Sequence, residues 1–333
     1  MRIMSRTGIV AGVAVVGIVV QLGAQSSAPG GWTVPRTPEG RPDIQGVWAN
    51  NTITPLERPK QFAGRATMTD AELAVVKANA QKLLDGGDAF FFDELFTAAL
   101  EGKGKFTSSD TQTGNYDQTW LSERVFDNRT SLITDPPDGR LPAPAPGFTE
   151  RAQARVAAAR GRGPADRAQD LNLSTRCVHF GTPNLTPGYQ SYFSFSQGPD
   201  AVVMRMEMIH DARVIPLDGR PHVSAAIRQY QGDSRGRWEG DTLVVDTTNF
   251  SSQANFRGST AGLHLVEKFR RVAEDTLEYY VTVDDPTVWS RPWTAMIPLK
   301  RTGEEMFEYA CHEGNYGLPA ILRGARAQEA ARR

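Results

Sequence analysis

The sequence predicts a mainly β protein: an antiparallel meander that closes as a barrel or stacks as a sandwich. Three observations predict it. From about residue 190 onward, apolar and polar residues alternate in short runs, as in Leu263–Val272 and Thr276–Val283. Turn clusters separate these runs, among them Gln197-Gly-Pro-Asp200 and Ala273-Glu-Asp275. Helical spacing is confined to the first half of the chain. Sequential hairpins of this kind build a meander.

The chain begins with a targeting pattern. Arg2 and Arg6 form a positive start, Gly8 to Val20 is a run of small and apolar residues, and Leu22-Gly23-Ala24 offers a small-residue cleavage site before Gln25. This pattern predicts a secretory signal over residues 1–24. A spanning helix needs about 20 apolar residues, and this run is shorter, so no stable membrane anchor is expected after cleavage. The expected location is the periplasm or the exterior. Residues 25–45, rich in Gly, Pro and Ser, read as an extended leader. Residues 46–333 read as one β-rich domain with a helical insertion at about 69–102 and a further helix at about 149–160.

Within the insertion, Thr69-Asp-Ala-Glu72 is a capping box, and Leu73, Val76, Ala80, Leu83 and Leu84 follow at helical spacing. Asp88 opens a second helix carrying Phe90, Phe91, Leu95, Phe96 and Leu100. Residues 105–148 look irregular apart from a strand at Thr130–Thr134. The Ala- and Arg-rich stretch after residue 149 reads as an exposed helix. Strands are expected at Ser191–Ser196, Ala201–Ile209 and Thr242–Thr248. A last hairpin is expected from Trp293–Leu299 and Met306–Cys311.

Composition excludes some classes of function. The formal net charge is −1, and loss of Arg2 and Arg6 with the signal leaves −3. That balance favours neither nucleic acid nor an anionic membrane as partner. The two cysteines, Cys177 and Cys311, are too few for a four-thiol zinc site. In an oxidising compartment they are expected to form a disulfide. Gly46-Val-Trp48 resembles the Gly-x-Trp of a lipocalin first strand, which leans the fold toward a barrel with a cavity.

Four longer stretches occur together: Arg41-Pro-Asp-Ile-Gln-Gly-Val-Trp48, Met208-Ile-His-Asp-Ala-Arg-Val-Ile-Pro-Leu-Asp-Gly-Arg-Pro-His222, the run from Gly232 to Asp246, and Cys311-His-Glu-Gly-Asn-Tyr316. On these the chain resembles a family of exported bacterial proteins without an assigned activity. The resemblance spans residues 32–327. It implies export and transfers no catalytic role.

Candidate chemistry concentrates in two segments. If Val202, Met204, Met206, Met208 and His210 alternate along one strand, His210 ends an apolar stripe at a barrel mouth, where an imidazole can act as general base. His312, Glu313, Asn315 and Tyr316 crowd the exit of the last expected strand. Glu267 shares an apolar face with Leu263, Leu265 and Phe269, so it reads either as a general acid or as the partner of a basic residue on the next strand. Arg213 and His222 complete the expected binding groups. The histidines lack the close spacing of zinc motifs, no Gly-x-Ser-x-Gly elbow is present, and neither metal nor cofactor is expected. Aromatic residues such as Trp238 and Tyr280 serve equally for ligand stacking and for core packing.

Two function classes follow. One is a cofactor-independent enzyme using His and carboxylate acid–base chemistry on a small organic substrate (lyase, isomerase or hydrolase), with His210, His312, Glu267 and Glu313 as catalytic groups. The other is a lipocalin-like binder of an apolar or aromatic ligand. The sequence does not specify the oligomeric state. Mass spectrometry of exported material is expected to find Gln25 as the first residue; a mature chain that keeps residues 1–24 would overturn the signal reading.

Overall fold

A computed structural model describes residues 32–85, 94–102, 124–158, 163, 165–185, 191–254 and 256–331. The signal segment, Asp88, Phe90 and Phe91 lie outside the described residues. The strands are β1 (Gly46–Ala49), β2 (Ile133–Asp135), β3 (Tyr192–Gln197), β4 (Ala201–Met206), β5 (Ala212–Pro216), β6 (Asp233–Glu239), β7 (Thr242–Thr248), β8 (His264–Ala273), β9 (Thr276–Asp284) and β10 (Trp293–Arg301). The helices are α1 (Asp70–Asp85), α2 (Glu94–Glu101), α3 (Phe148–Ala158) and α4 (Gly317–Ala331). Among the described residues no helix is long and apolar enough to cross a membrane.

The strands form one antiparallel sheet, nearly closed into a barrel, in the order β5-β4-β3-β1-β10-β9-β8-β7-β6, with β2 paired to β10. Alternation places one face of each strand inward. On β8 the buried residues are Leu265, Glu267, Phe269 and Arg271; on β9 they include Leu277, Tyr279, Val281 and Val283. Phe269 stacks on Tyr279 with ring centroids 4.7 Å apart and meets Phe195 edge-on at 5.1 Å. Large side chains thus occupy the interior where a ligand cavity was expected. The β6–β7 hairpin turns through Gly240-Asp241, with Gly240 at φ +57, the backbone that a two-residue hairpin loop requires.

Among the described residues nine strands lie on the sheet path, and every neighbouring pair is antiparallel. An odd number of alternating strands leaves the two end strands, β5 and β6, pointing the same way, and no ladder joins them. A seam therefore runs between β5 and β6. At one point they approach closely: a Cβ added at Gly236 would stand 2.6 Å from Ile215 Cγ2.

The helical insertion packs separately. Val76, Ala80 and Leu83 of α1 meet Leu95, Phe96, Ala98 and Ala99 of α2 over Ile53, Phe62 and Met68. The capping box is formed: Glu72 N–H donates to Thr69 Oγ1 at 3.3 Å, and Thr69 N–H donates to Glu72 Oε2 at 2.8 Å. α3 is mostly exposed, with Phe148 at its start half-buried against the barrel core.

Three expectations are corrected. The strand from Ala201 ends at Met206, because the chain turns through a 3-10 segment at Met208–His210, with Ile209 at φ 57 and His210 at φ 45. Met306–Cys311 forms no strand. One edge of β10 pairs with β9 and the other is shared by β1 and β2, so no edge is left to accept it. α4 has no counterpart in the sequence reading: Gly317, Pro319 and Gly324 weaken its helical signal, although a proline in the first turn is compatible with a helix.

Phe269→Ala is expected to lower unfolding stability by about 3–5 kcal/mol, the usual cost of removing a packed aromatic. Urea denaturation monitored by far-UV circular dichroism checks it, and a cost under about 1 kcal/mol would mean the ring is not a core keystone.

Candidate functional site at the barrel seam

The site begins with two inward residues on strands that are not neighbours. Arg213 of β5 reaches across the seam to Glu267 of β8, with Arg213 Nη1 donating to Oε2 at 2.6 Å and Nη2 to Oε1 at 3.0 Å. Tyr279 donates its hydroxyl to Glu267 Oε1 at 2.7 Å. Glu267 is 1% exposed. Burial alone would lower the Arg213 pKa, but the charge and hydrogen bonds of Glu267 outweigh it and raise the value. Burial, and after it the charge of Glu267, pushes the Tyr279 phenol well above its ordinary value, so the phenol keeps the proton it donates. Both Glu267 oxygens are occupied. The basic partner comes from β5 across the seam rather than from the strand next in sequence.

Beside this pair stands a second buried pair. His179 Nδ1 lies 2.8 Å from Asp211 Oδ2, and the two residues are 4% and 8% exposed. Asp211 Oδ2 also accepts the Phe180 N–H at 2.9 Å, and its Oδ1 accepts Gln231 Nε2 at 3.2 Å. In the tautomer that carries its proton on Nδ1, the ring donates to Asp211 and leaves Nε2 as the acceptor. Nε2 then meets the Thr182 hydroxyl at 3.4 Å. The 3-10 turn at Met208–His210 makes this possible: it redirects the chain after β4, so that Asp211 is buried while His210 is turned outward.

The two pairs lie between two spaces. Outside is a groove of about 520 Å3, lined by Val178, His179 and β5 residues Ala212–Val214 on one side and by residues 229–234 on the other. Inside, Thr182, Asp211, Arg213, Gln231, Glu267 and Tyr279 border a cavity of about 10 Å3, room for about one water. Arg213 and Gln231 border both. The groove falls in the size class of small-ligand sites.

The disulfide holds the loop that carries His179. Cys177 and Cys311 are bonded with Cα atoms 5.7 Å apart, closing a separation of 134 residues. Asn315 Nδ2 braces the same place, donating to the Thr175 carbonyl at 2.9 Å.

The remaining expected residues lie elsewhere. His210 is exposed, and its Nδ1 meets the Tyr309 carbonyl at 2.9 Å. His312, Glu313 and Tyr316 are exposed on the C-terminal segment, Tyr316 at 78%. Neither His210 nor His312 lines the groove. His222 is set between two carboxylates, Nδ1 to Asp233 at 2.9 Å and Nε2 to Asp246 at 2.9 Å. His264 Nε2 meets the other Asp246 oxygen at 3.0 Å. Burial works against the charge of Asp246, but the bonds from His264 and His222 prevail and lower its pKa. This cluster pins the β5–β6 connection to the barrel wall. Among the described residues no group of three or more His, Cys, Asp or Glu side chains is placed to hold a metal ion.

The residue that sequence reasoning missed is His179. It sits in a loop without periodicity, and only its position two residues after Cys177 hinted that it is held rigidly. No protein-family model and no curated protein sequence matches the chain.

Arg213→Met is expected to cost about 3–5 kcal/mol, since it strands the buried Glu267 charge, whereas Arg213→Met combined with Glu267→Leu recovers most of the loss. Urea midpoints of the two variants decide it; a double variant no more stable than the single one would show that the pair is not the source.

Proposed function

We propose that this chain is a periplasmic or secreted enzyme that performs general acid–base chemistry, without a cofactor, on a small organic substrate held in the seam groove. The lyase, isomerase and hydrolase classes fit this chemistry. The observation that carries the reading is the buried His179–Asp211 pair at the wall of an open groove. Asp211 orients the ring and stabilises the imidazolium that forms when Nε2 takes a proton. The same imidazolium then returns the proton to the departing or rearranged group.

The surroundings support this assignment. His179 is held from three directions: by Asp211, by Thr182, and by the disulfide two residues before it. A base fixed in this way loses little freedom when it reacts. Glu267 neutralises Arg213, which keeps the groove free of a strong unpaired charge and favours a polar, uncharged substrate. The alternative, a lipocalin-like carrier of an apolar ligand, has less support, because the interior beside Glu267 has room for about one water.

The test is a turnover screen of the purified protein against aryl esters, lactones, epoxides and β-hydroxy acids, repeated with His179→Ala and Asp211→Asn. His179→Ala is expected to lower any turnover found by about 10²- to 10⁴-fold, the usual share of a positioned acid–base group, when assayed below its own thermal midpoint, which falls because the buried Asp211 carboxylate loses a partner. Turnover that survives His179→Ala but disappears in His210→Ala or His312→Ala would move the chemistry to the C-terminal surface and sink this assignment.

A further inference from the structure

The β5 edge of the seam carries hydrogen-bonding capacity that no described residue consumes. In an antiparallel ladder, residue pairs alternate between bonded and non-bonded. Met206 N–H donates to the Asp211 carbonyl and Leu217 N–H to the Asp200 carbonyl, which makes 206/211 and 200/217 bonded pairs. The register Met204↔Arg213 and Val202↔Ile215 falls on the same alternation. The odd-numbered residues of β5 therefore spend their backbone groups on β4. Ala212 and Val214 turn theirs the other way, into the seam. They take no backbone hydrogen bond there among the described residues, and both residues line the groove. Val214 is 59% exposed.

We propose that this edge binds an extended peptide, added as a strand antiparallel to β5. Strand direction selects this occupant. β5 and β6 point the same way, so a segment running opposite to β5 is antiparallel to both strands; of the wall opposite β5, Asp233 and Ser234 belong to β6 and residues 229–232 to the turn before it. Pro216 limits the usable edge, since it has no N–H to offer, and below it the groove is open from Ala212 to Val214. Main-chain bonds would supply affinity, and alternate side chains would meet Tyr230 on the outer wall and His179 on the floor. The inference rests on the seam being the working site and names its substrate class: a peptide whose backbone is presented to His179.

Binding can be separated from turnover. A pooled library of capped pentapeptides, randomised at every position, is passed over the immobilised full chain, and retained sequences are read by mass spectrometry. Enriched sequences are expected to bind the wild-type chain saturably, and binding is read directly, without reference to turnover. Affinity is expected to fall about tenfold or more when the peptide is N-methylated at alternate residues, and by a similar factor in Val214→Pro, which deletes one seam-facing N–H. Should Val214→Pro fail to fold, amide shifts on wild type replace it; they are expected at Ala212 and Val214 when peptide is added. The proposal is overturned if no sequence is enriched, if N-methylated peptides bind equally well, or if the edge is consumed by a second copy of this chain, seen as dimerisation that Val214→Pro abolishes. Peptide binding without any His179-dependent turnover would remove the catalytic reading and leave this one, and turnover of small molecules without peptide binding would do the reverse.

Discussion

Strand parity governs this structure. A meander built only from antiparallel neighbours closes with a ladder when the number of strands on its path is even. Here the path has nine, so β5 and β6 meet pointing the same way and without backbone bonds between them. Everything distinctive about the site follows from that mismatch. The groove is the part of the seam that stays open, and Gly236 is the part where the walls come together, because only a residue without a side chain lets Ile215 lie so close. The missing ladder is replaced from inside by a side-chain bridge, Arg213 to Glu267, which ties β5 to a strand three places away around the barrel.

That bridge is costly in isolation. Two desolvated charges gain stability only when their geometry is good and their remaining atoms are satisfied. Both conditions hold: the contact is bidentate, and Tyr279 adds a second donor to Glu267 Oε1, the oxygen with the longer of the two Arg213 bonds. An apolar pair would fill the same space. The ionic one makes β5 specify its position against β8, where no hydrogen-bond register exists to do so.

The local and the long-range features of the site have different origins. Most strands of the meander, the capping box at Thr69 and the pairing of Cys177 with Cys311 were legible, because each depends on periodicity, on neighbours a few residues apart, or on compartment; β5 and β6, which flank the seam, were given no strand of their own. His210 was misplaced for a physical reason. Its stripe of alternating apolar residues is real as far as Met206, but one 3-10 turn reverses the inside and outside of all that follows. The same turn buries Asp211, which strict alternation from Met206 would not have brought to His179. A strand at Met306–Cys311 was plausible by pattern and failed by occupancy, since β10 had no edge left to share.

Glu267 marks the boundary between the two kinds of knowledge. Alternation alone put a carboxyl on the apolar face of β8, and a buried carboxyl must find a partner or lose its charge. So the sequence determined the mainly β class, the inward face of each long strand and the choice at Glu267 between a buried cation and a neutral carboxyl. It did not determine which cation, because Arg213 lies 54 residues away and reaches Glu267 across a seam. Nor did it reveal His179, whose role depends on Asp211 32 residues further on and on a disulfide 134 residues long. Periodicity is written within a strand, whereas the meeting of two loops at an unclosed seam is settled by how many strands there are and which of them come last.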